Sequence, residues 1–347
     1  MKFTLRWFGE EDPVSLAYIK QIPGVTGIVS AVYDIPVGEV WPQEKIRQLR
    51  KEIESHNLSL EVIESVPVHE DIKLGKREAS SYVENYKQTL RNLAAEGIET
   101  VCYNFMPVFD WTRSQLDFVL PDDSTALIYD HEHITSVDPL SGELTLPGWD
   151  ASYENNELKE VIDEFKLLTE EDMWKNINSF LQEVIPVAEE VGINMAIHPD
   201  DPPWSIFGLP RIITNQENVQ RFLNLYDSPN NGLTLCSGSY GALPANDIPQ
   251  MIRTFGSQGK IHFAHCRNIK RTKNKSFEES SHLSSDGSLD MVEIMKAYDE
   301  TGFTGPIRPD HGRMIWGETG RPGYGLYDRA LGASYLRGIW ETLQKTK

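Results

Sequence analysis

One pattern recurs along the chain. A short run of β-branched and aromatic residues is followed by a longer run whose apolar positions fall on one helical face. The strand-like runs lie at 2–8, 25–33, 58–66, 98–105, 193–198, 232–236, 260–267 and 303–310. Helical runs follow from about 13, then at 42–56, 80–96, 169–191, 214–227, 247–255, 289–301 and 327–343. Local punctuation supports these bounds. Pro42 suits a first helical turn, Gly97 a position just past a helix end, and Thr169-Glu-Glu-Asp and Thr214-Asn-Gln-Glu217 are capping signals. Eight strand–helix units in alternation predict parallel strands closed into an α/β (β/α)8 barrel, a TIM barrel, as a single domain over 1–347. A doubly wound open sheet is the alternative. Its usual nucleotide signatures are missing, since no G-x-G-x-x-G follows the first strand and no Walker A sequence occurs.

The rhythm breaks between 107 and 168, which is rich in Asp, Pro, Gly and Trp and has no clear period. A segment this long between a strand and the next helix predicts a functional insertion that acts as a lid. It holds Trp111, Arg113 and the pair His131-Glu-His133, which reads more readily as an exposed loop pair than as a metal site.

Composition narrows the setting. The 347 residues are 39% hydrophobic and 24% charged, ordinary for a protein with a packed core. No apolar run reaches the roughly 18 residues of a membrane span. The opening Met1-Lys-Phe-Thr-Leu-Arg is too short and too charged for a signal peptide and reads as a strand. Cys102, Cys236 and Cys266 show no C-x-x-C spacing, so a reduced, cytoplasmic protein is expected. The net charge of −19 argues against nucleic acid and anionic membranes as partners. A small anionic substrate would then need local positive charge from arginines or a metal. Helices on the outside of a barrel commonly support pairing, so a homodimer is expected.

In such a barrel the chemistry collects where strands end. Four consecutive strands finish in Ile197-His198, Leu235-Cys236, Ala264-His265 and Pro309-Asp310. Side-chain alternation puts Ala196 and His198 on one face and Met195 and Ile197 on the other, and turns Cys236 away from Leu233 and Leu235. With the bulkier apolar members outside, His198 and Cys236 face the barrel mouth. On the seventh strand His262 and His265 lie on opposite faces. His265 is nearer the strand end and is the expected ligand, with His262 a structural histidine and Cys266 turned outward. Singly, each residue has an ordinary explanation as a buried hydrophobe or a locally bonded histidine. Together His198, Cys236, His265 and Asp310 offer imidazole, thiolate and carboxylate, a set for Mn, Fe, Co, Ni or Zn. Ligands spread from 198 to 310 are how an enzyme gathers a site, whereas structural zinc uses close pairs.

Candidate substrate groups surround this set. The stiff stretch Pro306-Ile-Arg-Pro-Asp-His-Gly-Arg313 concentrates Arg308, Asp310, His311 and Arg313. Arg267, Arg308 and Arg313 suit a carboxylate, which arginine binds with a planar fork. Tyr324 sits between glycines in Gly320-Arg-Pro-Gly-Tyr-Gly325, and Asn104 and Glu64 end earlier strands.

These residues resemble those of the mannonate dehydratase family, one of the xylose-isomerase-like barrels. The matching pieces are Leu5-Arg-Trp-Phe-Gly9, Ile197-His-Pro-Asp-Asp-Pro-Pro203, Cys236-Ser-Gly-Ser239, His262-Phe-Ala-His-Cys-Arg-Asn268, Arg308-Pro-Asp-His-Gly-Arg313 and Gly320-Arg-Pro-Gly-Tyr324, in order over nearly the whole chain. The resemblance implies dehydration of D-mannonate to 2-keto-3-deoxy-D-gluconate with Mn²⁺ or Fe²⁺ in hexuronate breakdown. It implies His198, Cys236, His265 and Asp310 as metal ligands and places His311 and Tyr324 at the acid/base positions. The chemistry suits the residues: a metal stabilises the enediolate, a base takes the C2 proton and an acid assists the C3 hydroxyl. The expectation leans towards His311 at the leaving hydroxyl and Tyr324 at C2, its phenol made more acidic by the metal or Arg308. A metal-dependent sugar isomerase or epimerase on the same barrel is the alternative; a DNA-repair nuclease conflicts with the charge. A non-catalytic sugar-acid binder would have no use for His311 and Tyr324.

Overall fold

In the computed structural model, which describes residues 1–140 and 155–347, strand and helix alternate as the periodicity predicts. The first half runs β1 (Lys2–Arg6), α1 (Leu16–Ile19), β2 (Val25–Ser30), α2 (Gln43–Ser55), β3 (Ser59–Glu64), α3 (Glu70–Lys73), α4 (Ser80–Ala95) and β4 (Thr100–Tyr103). After the inserted segment come α7 (Glu170–Val191), β7 (Asn194–Ile197), α8 (Gln216–Leu225), β8 (Asn231–Cys236), α9 (Ser237–Gly241) and α10 (Ile248–Gly256). The chain closes with β9 (Ile261–His265), α11 (Met291–Glu300), β12 (Pro306–Arg308) and α12 (Leu326–Lys345). The eight strands β1, β2, β3, β4, β7, β8, β9 and β12 form a closed barrel in chain order, with β12 pairing in parallel with β1. Among the described residues no helix is long and apolar enough to cross a membrane.

The alternation argument accounts for the two cores. Val29, Val62, Cys102, Ala196 and Phe263 form a small cluster inside the barrel. Met195, Ile197, Leu233, Leu235, Ala264 and Cys266 belong to the larger core under the helices. Caps set the helix starts: Thr169 and Asp172 close a capping box on α7, which ends at Gly192 with φ 75°. The cap of α8 is Asn215, whose side chain accepts from Asn218 N–H, rather than Thr214.

The expected insertion has more order than its sequence suggested. It carries β5 (Gln115–Val119), β6 (Thr125–Tyr129), α5 (His131–Ser136) and α6 (Asn155–Phe165), while 141–154 lie outside the described residues. A second hairpin, β10 (Ile269–Arg271) and β11 (Phe277–Glu279), follows β9 where the periodicity showed only a loop. The two hairpins join into a four-stranded antiparallel sheet in the order β10, β11, β6, β5. It is held by the bond register Phe277–Tyr129 and by the stacking of those rings at 5.4 Å.

Candidate active site

A cavity of about 410 Å³ lies at the strand ends. His198, Asp310, His311, Arg267, Arg308 and Tyr324 line it, and Trp111, Asp110 and Leu116 from the insertion form one wall. His198, Cys236 and His265 meet beneath, with one ligand atom of each within 4.8 Å of the others. Each stands at or just beyond the end of neighbouring strands β7, β8 and β9, so parallel register alone brings them together. His198 Nδ1 donates to Pro199 O at 2.7 Å, which fixes the tautomer and leaves Nε2 with a lone pair. Burial lowers the His198 pKa, although Glu64 and Asp310 oppose that shift.

Ser239 Oγ lies 3.1 Å from Cys236 Sγ and donates to it. His265 Nδ1 is buried with no hydrogen-bond partner, 3.7 Å from Asp310 Oδ2. The same carboxylate oxygen is 3.7 Å from Cys236 Sγ. Asp310 reaches this place through a left-handed φ of 62°, a conformation that aspartate tolerates better than most residues. Burial opposes its ionisation, but Arg308 at 2.8 Å holds its carboxyl well below the usual range. A buried ring nitrogen without a partner, a thiol and a carboxylate around one small volume fit a divalent ion with mixed N, S and O donors. Arg308 Nε donates to His265 Nε2 at 3.0 Å and Glu64 Oε1 lies 3.4 Å from the same nitrogen, so this edge of the ring is held while Nδ1 faces Asp310.

His311 and Tyr324 are in direct contact, with Nε2 to the phenol oxygen at 2.9 Å. Trp111 covers the imidazole with ring centroids 4.6 Å apart, and Phe8 meets Tyr324 edge-on at 4.8 Å. Burial lowers the His311 pKa against the pull of Asp310. Burial pushes Tyr324 up to about 12 despite Arg308 and Arg6. The phenol therefore remains a proton donor in this setting, and the imidazole remains neutral.

Not every expected group reaches the cavity in the expected role. Arg313 points away: Nη2 pairs with Asp328 at 3.1 Å and Nη1 with Asp122 at 3.0 Å. The geometry gives no support to a substrate contact there. Arg267 lines the cavity, but its fork is committed to Asp201 at 2.9 Å, and its Nη1 lies against His311 Nδ1 at 2.8 Å and Glu279 Oε1 at 3.5 Å. It holds the imidazole rather than offering an open fork. Asn104 lines the wall and donates to Asp110 Oδ1 at 2.9 Å. His262 is on the outer side of β9 against Gly232, and His131, at the start of α5, bonds the hydroxyl of Tyr129 at the end of β6 rather than joining the cluster.

Several groups escaped the sequence reading. Arg6 pairs with Glu64 at 3.1 Å, and an arginine between Leu5 and Trp7 was the available signal. Asp201 and Glu279 join Arg113 and Arg267 in a network with at most 1% side-chain exposure. Glu279 sits in a three-residue strand and had no local signal.

The family model for D-mannonate dehydratase (UxuA) matches residues 1–347. Mannonate dehydratase 2 of Halalkalibacterium halodurans is 68% identical over 343 residues, covering 99% of both chains. The mannonate dehydratase of Streptococcus uberis is 57% identical over 345 residues, again 99% of both. The crystal structure of mannonate dehydratase from Streptococcus suis serotype 2 superposes with a TM-score of 0.93 at 49% identity, over 100% of this chain and 95% of that one. A D-tagatose 3-epimerase-like protein superposes with a TM-score of 0.55 at 14% identity, over 100% of this chain and 99% of that one, a likeness of fold alone. The chain thus belongs to the D-mannonate dehydratase family.

Proposed function

We propose that this chain dehydrates D-mannonate to 2-keto-3-deoxy-D-gluconate, using Mn²⁺ or Fe²⁺ held by His198, Cys236, His265 and Asp310. The observation that carries this is the placement of the His311–Tyr324 pair in the same cavity as the His/Cys/His cluster. A binder needs only the cluster; a dehydratase needs a proton acceptor and a proton donor beside it. When bound, the ion supplies Lewis-acid stabilisation of the enediolate that forms at the acid's carboxylate end.

The chain's own residues divide the proton work. Neutral His311 accepts the C2 proton at Nε2. Tyr324 gives its proton to the departing C3 hydroxyl, which leaves as water. The 2.9 Å bond between them then returns the proton from imidazolium to phenolate, so the pair ends as it began. This order reverses the one favoured from sequence; what supports it is the Glu279 carboxylate 3.2 Å from His311 Nδ1, which leaves Nε2 free to accept, beside a phenol whose pKa burial raises. Trp111 and Phe8 keep water from the pair.

The test is formation of 2-keto acid from D-mannonate by anaerobically purified protein, with and without added Mn²⁺. Metal-dependent product is expected, and His311→Asn should keep its metal and lose about 10²–10⁴-fold in turnover. Bound metal without product from wild type would move the assignment to sugar isomerisation.

A further inference from the structure

Four arginines line the cavity, and three are already neutralised by carboxylates. Arg6 pairs with Glu64 at 3.1 Å, and Arg308 with Glu64 at 3.0 Å and Asp310 at 2.8 Å. Arg267 pairs with Asp201 at 2.9 Å. The fourth, Arg321, is exposed at the cavity edge, and among the described residues its guanidinium has no hydrogen bond or ion pair. It rests over the Phe8 ring at 4.6 Å from the centroid. The same Phe8 ring packs against Tyr324 at 4.8 Å.

Arg321 is tied to Tyr324 through the backbone as well. Tyr324 N–H donates to Arg321 O at 2.9 Å, closing one tight turn with Gly323 at φ 77°. One turn therefore carries both the phenol and a cation that is unpaired among the described residues. An aromatic face holds a guanidinium without neutralising it, so the charge stays available to a carboxylate. On a chain of net charge −19, an arginine already shared between protein carboxylates gives an incoming anion little attraction.

We propose that Arg321 recognises the substrate's carboxylate and makes this site select a sugar acid over a neutral sugar of the same shape. The assignment rests on the dehydration proposed above and deepens it. The guanidinium takes a carboxylate oxygen of the substrate, while Phe8 limits how far the side chain can swing. Arg321 is exposed and, among the described residues, its side chain touches Phe8 without a hydrogen bond or ion pair, so its replacement should leave the fold and the metal content intact.

The experiment compares wild type, Arg321→Gln and Arg321→Lys, all Mn²⁺-loaded. KM and kcat are measured for D-mannonate, together with inhibition by D-gluconate and by the neutral D-gluconamide. Loss of a charge-assisted bond predicts a rise of about 10–100-fold in KM and in the D-gluconate inhibition constant for Arg321→Gln. The D-gluconamide constant should change less than about twofold, with kcat nearly constant and Arg321→Lys in between. An Arg321→Gln KM within twofold of wild type, or equal losses for acid and amide, would overturn the assignment. If wild type does not turn over D-mannonate, the dehydratase activity fails separately. Arg321 is then judged by calorimetric binding of D-gluconate against D-gluconamide, with the same two outcomes.

Discussion

Glu279 Oε1 lies 3.2 Å from His311 Nδ1, with both side chains buried. With Nδ1–H donated to this carboxylate, the neutral ring keeps its Nε2 lone pair toward Tyr324. Once Nε2 has taken a proton from substrate, a carboxylate beside Nδ1 stabilises the imidazolium. Glu279→Gln removes that charge and keeps the shape. We expect kcat to fall about 10–100-fold with KM and metal content little changed, because the loss falls on the charged intermediate. Unchanged kcat would leave Glu279 a purely structural partner of Arg113 and Arg267.

His265 and His262 occupy opposite faces of β9 and should separate cleanly in metal binding. His265→Gln removes the buried nitrogen facing Asp310 and should strip the ion, with metal content per chain read by elemental analysis. His262→Gln should retain the full complement, and a loss there instead would assign the ligand to the other face.

The same His262 should govern part of the pH dependence of stability. Burial lowers its pKa to about 4, and its Nε2 has no hydrogen-bond partner. Because the folded value is below the unfolded value of about 6.5, the unfolded chain binds this proton first as pH falls. The destabilisation is absent above pH 6.5 and grows down to about 4. It amounts to about 2 kcal/mol at pH 5 by linkage. Urea midpoints of metal-free protein at pH 7.5 and 5 should converge partly in His262→Gln. Parallel losses in both proteins would show that this histidine contributes nothing.

Arg113 ties the insertion to the barrel. Its guanidinium pairs with Asp201 and Glu279, each at 2.9 Å, with no exposure. Arg113→Met would leave buried carboxylates without their partner, a loss of about 3–5 kcal/mol for broken buried pairs. The denaturation midpoint should drop accordingly. A shift below about 1 kcal/mol would mean that Arg267 alone satisfies both acids.

The barrel was legible because its signal is local. A helix that buries one face, or a strand covered on both, must write its period into consecutive residues, and α7 or β8 could be bounded within a residue or two. The small sheet was not legible. Strand β5 is largely exposed, and β10 and β11 are three residues each, too short for a period to emerge.

For the site, the sequence alone placed His198, Cys236 and His265 at the barrel mouth, since counting along a strand ties position to face, whereas Asp310 lies two residues past β12 and is brought in by a left-handed turn that alternation does not foresee. Only the tertiary structure decided how charge is shared among them. It turned Arg313 outward to Asp328, spent Arg267 on Asp201 and His311, brought Glu279 from a hairpin to the imidazole, and left Arg321 unpaired among the described residues. Those outcomes are pairings between residues far apart in the chain. Each is settled by which opposite charge lies nearest once burial has removed the competing water, and no local period records that.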